Sequence, residues 1–154
     1  MNKEPFEEIL LFLDSKRADY KTYEHEPVIT SEEAREIKKT DATGLKSLLF
    51  KTENGLVLMV LPGEKKVSSK KARAYLGVKD IRMVTPDEVL TAMGCEVGGC
   101  YPIGEIAGIR TVLDESIKEA ESLIFNVGRR DRSVEITRDE FERVTSFEWA
   151  DIAS

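Results

Sequence analysis

Lys46 stands in an otherwise apolar run, Leu45-Lys46-Ser47-Leu48-Leu49-Phe50, where strand alternation places it on one face with Leu48 and Phe50. An ammonium in such company either snorkels from a sheet edge to water or is held at the mouth of a pocket to engage an anion. A second stretch with chemical potential is Gly94-Cys95-Glu96-Val97-Gly98-Gly99-Cys100-Tyr101-Pro102-Ile103-Gly104. Its adjacent glycines and rigid proline form either an ordinary connection or a cradle whose backbone approaches a ligand closely and offers it fixed N–H and C=O groups.

Other chemistries find little support. Cys95 and Cys100 are spaced C-x4-C and His25 is the single histidine, fewer convergent N or S ligands than an ordinary zinc site uses, so no metal and no cofactor are expected. No Gly-x-Ser-x-Gly elbow or Walker loop occurs, and His25 would have to serve as the only imidazole base of a nucleophilic triad. Hydrolysis would then rest on positioned backbone dipoles, a lysine or the substrate's own groups.

Both stretches need a sheet to position them. Phe6, Ile9, Leu10 and Leu13 recur at spacings of three and four, which predicts an amphipathic helix over residues 3–18, followed by a short strand at 20–24. Thr30 stands three residues before Glu33, a capping-box pattern that starts a helix running to residue 39. Aliphatic residues over 45–52 and 56–61, separated by Asn54-Gly55, predict a tight hairpin with positive φ at that dipeptide. After Pro62-Gly63 the pattern reads helix 68–76 stopped by Gly77, strand 81–84, and helix 86–93 opened by Pro86. Strand 109–113, a helix or turn from Asp114, strands 123–127 and 132–136, and a last helix capped by Thr137 and Glu140 complete it.

Strands interspersed with helices, and at least one hairpin, favour a mixed α/β fold with a substantially antiparallel sheet over a doubly wound parallel one. At 154 residues, 41% hydrophobic and 34% charged, with neither repeat nor linker, residues 1–154 read as one domain with a substantial core. The longest apolar run, residues 56–61, is far short of the roughly 20 residues that span a bilayer, so no membrane partner is expected. Glu4, Glu7 and Glu8 replace the basic flank of a signal peptide, which predicts a cytoplasmic protein with Cys95 and Cys100 reduced.

The net charge of −6 is unevenly spread: residues 46–85 carry nine Lys or Arg against Glu53, Glu64 and Asp80. Lys65, Lys66, Lys70, Lys71, Arg73, Lys79 and Arg82 are near enough in sequence to form one positive patch, which serves either as a solvated face or as a surface for an anionic partner.

Four stretches, in their order and spacing, resemble the YbaK-like family of prolyl-tRNA synthetase-associated domains. They are Thr22-Tyr23-Glu24-His25 with Pro27 and Thr30; Leu45-Lys46-Ser47-Leu48-Leu49; Val60-Leu61-Pro62-Gly63 through Lys66; and Gly98-Gly99-Cys100-Tyr101-Pro102-Ile103-Gly104. Asp114, Gly128-Arg129-Arg130 and Ala150-Asp151-Ile152-Ala153 add to the match. The resemblance implies a compact single α/β domain around a mostly antiparallel, partly closed sheet surrounded by helices. It implies a trans-editing deacylase that hydrolyses the ester of mischarged tRNA, Ala-tRNAPro or Cys-tRNAPro, by water without a metal and with help from substrate hydroxyl or amino groups.

On that resemblance Lys46 is the lysine that engages the terminal nucleotide and places the ester, and the backbone of Gly98, Gly99 and Pro102 holds the aminoacyl group. Tyr23, Ser47, Cys100, Tyr101, Asn126 and Gly128 form the substrate-binding set, and Lys65, Lys66, Lys70 and Lys71 face the tRNA acceptor arm. Cys100 and Tyr101 depart from the residues usual in the loop, and Asn126 and Ser133 fall where many members carry other polar residues. Tyr101 sets the size of the aminoacyl group if it points into the pocket, and does not if it points outward. The expected partners are mischarged tRNA and, as a candidate, prolyl-tRNA synthetase, without DNA. The alternative function is a non-catalytic tRNA- or synthetase-binding module, and a small-molecule esterase is a third reading.

Overall fold

The computed structural model describes residues 4–24, 41–129 and 131–154. The helix expected over residues 30–39 lies outside the described residues, as do His25, Pro27, Thr30 and Arg130.

Helix α1, Pro5–Ser15, opens on a proline in its first turn and buries Ile9 and Leu13. Strand β1, Tyr20–Glu24, follows, then the hairpin of β2, Thr43–Thr52, and β3, Gly55–Pro62. Thr52 pairs with Gly55, so the hairpin loop is Glu53-Asn54. Only Gly55 takes a positive φ, 116°, rather than both members of the Asn-Gly dipeptide. Helix α2, Ser69–Leu76, is capped by Ser68, whose Oγ accepts from Lys71 N, and is stopped by Gly77. A three-residue β4, Ile81–Met83, precedes α3, Pro86–Met93, which starts with a full capping box between Thr85 and Glu88.

Single 3₁₀ turns at Gly104–Ala107 and Glu115–Glu119 flank β5, Arg110–Asp114. Strands β6, Ser122–Asn126, and β7, Arg132–Thr137, form the second antiparallel pair. In α4, Arg138–Val144, Thr137 Oγ1 accepts from Glu140 N, whereas the Glu140 carboxylate is drawn to Asp19 N and Arg143 instead of closing a box.

A last strand, β8, covers Glu148–Ala150, and the eight described strands run in the order β1-β7-β6-β2-β3-β5-β8, with β4 added on β2. The ladders β1·β7, β6·β7, β2·β3 and β2·β4 are antiparallel, and β2·β6, β3·β5 and β5·β8 are parallel. The fold is thus mixed α/β with a mostly antiparallel sheet, and the three parallel ladders are what local sequence pattern did not disclose.

Residues 56–61 are unbroken in apolarity because β3 is covered on both faces. Leu58 and Val60 pack with Ile9, Leu13, Leu49 and Phe125, while Val57, Met59 and Leu61 pack with Phe50, Ala72, Val112 and Ile152. Each such side chain contributes about 1.5–3 kcal/mol of burial. Strand β8, Glu148–Ala150, gave no pattern of its own and is tied down by charge. Arg110 on β5 forms a bidentate pair with Glu148, at 2.7 and 2.8 Å, and buried Asp114 accepts from the N–H groups of Ile152 and Ala153, both at 3.0 Å.

Candidate functional site

One edge of β2 is covered in two separate places. Thr43 and Gly44 pair with Leu123 and Ile124 of β6, and residues 50–52 pair with β4. Between them, residues 46–48 have no strand neighbour on that edge among the described residues, and Lys46 lies in this opening with Leu61 opposite it on β3. The β2·β6 ladder ends at Gly44↔Ile124, and Lys46 and Asn126 each lie two residues beyond it on their own strands. Asn126 pairs with Ser133 on β7, and Ser133 pairs with Tyr23 on β1. Tyr23, Ser133 and Asn126 therefore form one row across three strands, on the face away from Phe125, and Lys46 alternates onto the face of β2 opposite Leu45 and Leu49.

The glycine loop crosses the end of β6 and is pinned there. Asn126 Nδ2 donates to Gly98 O at 2.5 Å, and Gly128 N donates to Gly99 O at 2.6 Å. Asn126 Oδ1 in turn accepts from Ser133 Oγ at 3.1 Å, which fixes the amide's orientation. A Cβ on Gly99 would stand 3.3 Å from Arg129 N and from Gly128 C, so the facing backbone would have to yield by a few tenths of an ångström to admit a side chain. Gly99 N donates to Glu96 O at 2.9 Å. The backbone groups of Gly99 thus build the loop, and among the described residues the N–H groups of Gly98 and Cys100 are left without a partner.

Burial, and then the positive charge of Lys66, hold the Lys46 ammonium below the ordinary lysine range, with Glu64 acting in the opposite direction. The turn after β3 therefore sets the field at Lys46. Burial and the Glu135 carboxylate raise the Tyr23 phenol, whose hydroxyl donates to Glu135 Oε1 at 3.4 Å. Of the four lysines expected to face RNA, Lys66 stands near Lys46, Lys65 is half-buried and Lys70 is exposed. Lys71 is committed: its Nζ donates to Asp151 Oδ1 at 3.1 Å and to Ala153 O at 2.9 Å, tying α2 to the C-terminal segment.

Two expectations about the substrate-binding set change. Tyr101 is 2% exposed, packs in the core with Ile9 and Leu13, and donates its hydroxyl to Met93 O at 3.1 Å. It points neither into a pocket nor outward to solvent; it anchors the loop to the end of α3. Ser47 alternates with Lys46 onto the opposite face, beside Leu45 and Leu49, and its buried Oγ has no hydrogen-bond partner among the described residues. Cys100 is half-buried and touches Cys95, and Pro102 is buried. Ser133, named at the outset only as a polar departure, is the residue that orients Asn126. The signal for it was the antiparallel register of β6 and β7, which sequence spacing alone does not supply.

The structure is a small mixed α/β domain with a lysine in an opening of one strand edge and a glycine loop clamped by an asparagine. The chain matches the aminoacyl-tRNA editing domain family over residues 25–144 and belongs to it. It is 31% identical over 109 residues to a proline–tRNA ligase of Thermosipho melanesiensis, covering 70% of this chain and 19% of the ligase. It is 35% identical over 109 residues to the uncharacterized protein YwhH of Bacillus subtilis, covering 70% of this chain and 69% of YwhH. The chain thus spans about a fifth of the ligase it matches and about two thirds of YwhH. A crystal structure of a candidate trans-editing enzyme for prolyl-tRNA synthetase superposes with a TM-score of 0.85 at 23% identity, covering 100% of this chain and 99% of that one. That last likeness carries the fold.

Proposed function

We propose that this chain is a trans-editing deacylase that hydrolyses the ester of mischarged tRNA, with Ala-tRNAPro or Cys-tRNAPro as substrate. The observation that supports the reading is the clamp of Asn126 on the glycine loop, with Lys46 in the open stretch of the neighbouring β2 edge. In this reading the Lys46 ammonium holds the terminal nucleotide and places the ester, a gain of position and charge that needs no side-chain nucleophile. The N–H groups of Gly98 and Cys100 donate to the acyl oxygen and stabilise the charge that develops on it as water adds. Substrate hydroxyl or amino groups assist the water. No metal enters: the chain has one histidine, and its two cysteines contact each other.

Mischarged tRNA is the partner, Lys65, Lys66 and Lys70 supply phosphate contacts, and the protein works in the cytoplasm beside prolyl-tRNA synthetase. Among the described residues no helix is long and apolar enough to cross a membrane. The experiment is to incubate purified protein with labelled Ala-tRNAPro and Cys-tRNAPro and follow loss of the aminoacyl bond. Deacylation that disappears in a folded Lys46→Ala variant supports the reading. Binding of charged tRNA without hydrolysis replaces it with the non-catalytic module.

A further inference from the structure

The loop that carries Gly98 and Gly99 is flanked by two cysteines whose sulfurs the fold brings together. Cys95 Sγ lies 2.8 Å from Cys100 Sγ, its thiol donating to Cys100, while the Cys100 thiol turns to Glu96 O at 3.8 Å. Neither is in a disulfide. They differ in access: Cys95 is 1% exposed within the core, and Cys100 is half-buried. A disulfide bond of about 2.05 Å requires the sulfurs to close by well under 1 Å. Gly98 and Gly99, within the segment to be closed, carry no Cβ to oppose that movement.

We propose that Cys95 and Cys100 form a reversible dithiol–disulfide modification site, oxidised by a peroxide, whose closure locks the Gly98-Gly99 loop. Cys100 is the sulfur a peroxide reaches first. It attacks one peroxide oxygen; the S–O bond forms as the O–O bond breaks, and the other oxygen leaves as water, giving a sulfenic acid. Cys95 Sγ then attacks Cys100 Sγ; the S–S bond forms as the S–O bond breaks, and the departing hydroxide leaves with the Cys95 proton as a second water. Two electrons pass from the two thiols to one peroxide, and a dithiol reductant returns them. Contact with Cys100 and burial push the Cys95 thiol up, so Cys95 is not the sulfur that meets the peroxide first.

The loop is already held on its other side, because the Gly98 and Gly99 carbonyls are bound by Asn126 and Gly128. A covalent link between its flanks removes the remaining freedom to yield to an incoming aminoacyl group. This effect on turnover rests on the deacylase reading; formation of the bond does not.

The test treats the purified chain with hydrogen peroxide, quenches it, and measures free thiols, intact mass and migration on a non-reducing gel. The expected result is loss of both thiols and about 2 Da within a single chain, reversed by dithiothreitol. Cys95→Ala instead retains a Cys100 sulfenic acid that dimedone traps. Two thiols persisting in peroxide, or lost only through links between chains, overturn the site. Deacylation measured on the same samples falls by at least about threefold in the oxidised form and returns on reduction. Equal rates in both forms overturn the lock. Absence of turnover in both overturns the deacylase reading, while the thiol count still decides the disulfide.

Discussion

Asn126 holds Gly98 with one end of its amide and Ser133 with the other: Nδ2 donates to Gly98 O at 2.5 Å, and Oδ1 accepts from Ser133 Oγ at 3.1 Å. A side chain on β6 thereby converts the register of the β6·β7 pair into the position of a loop that begins nearly thirty residues earlier in the chain. Asn126→Asp keeps the shape but replaces the donor with a second acceptor, leaving Gly98 O facing a carboxylate. Deacylation is expected to fall by about tenfold or more with the fold retained, and Ser133→Ala to fall less, because it removes the orienting bond alone. Single-turnover rates with circular dichroism as the control check both; wild-type rates in Asn126→Asp remove the clamp from the mechanism.

Gly99→Ala places a methyl group against the Arg129 and Gly128 backbone, at 3.3 Å, where rigid main chain has to give way. The expected outcome is a displaced loop, lost activity and a modest stability loss of about 1–2 kcal/mol. Denaturant melts alongside deacylation separate the two effects, and a variant with full activity would show the close approach to be dispensable.

The pH dependence of turnover follows from the surroundings of Lys46. Its pKa is lowered by burial and by Lys66, so activity that needs the ammonium is lost on the alkaline side earlier than for an ordinary lysine. Lys66→Gln removes a like charge, favours the protonated form and moves this alkaline limb to higher pH. Glu64→Gln removes an opposite charge and moves it to lower pH. Profiles of kcat against pH for the three proteins test the pair of opposite shifts.

Asp114 fastens the C-terminal segment. Burial alone would raise its carboxyl, but bonds from Ser116, Ile152 and Ala153 outweigh this and hold it below the usual range. A depressed folded-state value means the stabilisation is present above the unfolded pKa, about 3.9, and is lost as pH falls through the lower folded value. Asp114→Asn is expected to cost about 2 kcal/mol at neutral pH and to narrow its deficit in acid. Urea melts at neutral and acidic pH measure this difference.

Prolonged EDTA treatment is expected to leave deacylation unchanged. The prediction rests on the ligand inventory, one histidine and a cysteine pair engaged with itself, in a chain whose described residues assemble no group of three or more His, Cys, Asp or Glu around a common point. Loss of activity restored by added zinc would contradict it.

The β2–β3 hairpin was legible because its determinants are local: alternating or continuous apolarity over residues 45–61 and a turn glycine at position 55. Lys46 was legible for the same reason, as a charge out of place in an apolar strand. The cap at Thr137 was likewise written within a few residues of the helix it starts, whereas the caps at Ser68 and Thr85 emerged only from the structure. By itself, then, the sequence determined most of the elements and the mixed class, and singled out the two stretches proposed to carry chemistry.

Only the tertiary structure decided how those stretches meet. The parting of β2 from β6 after Gly44, the row from Tyr23 to Asn126, and the clamp of Asn126 on Gly98 depend on which strands become neighbours. Periodicity reports which face of an element is buried and says nothing of the partner across it. The inward turn of Tyr101 and the contact of Cys95 with Cys100 were hidden for that reason. In a loop rich in glycine the direction of each side chain is set by distant packing and hydrogen bonds, here those offered by Met93, Asn126 and Gly128, and not by the residues beside it.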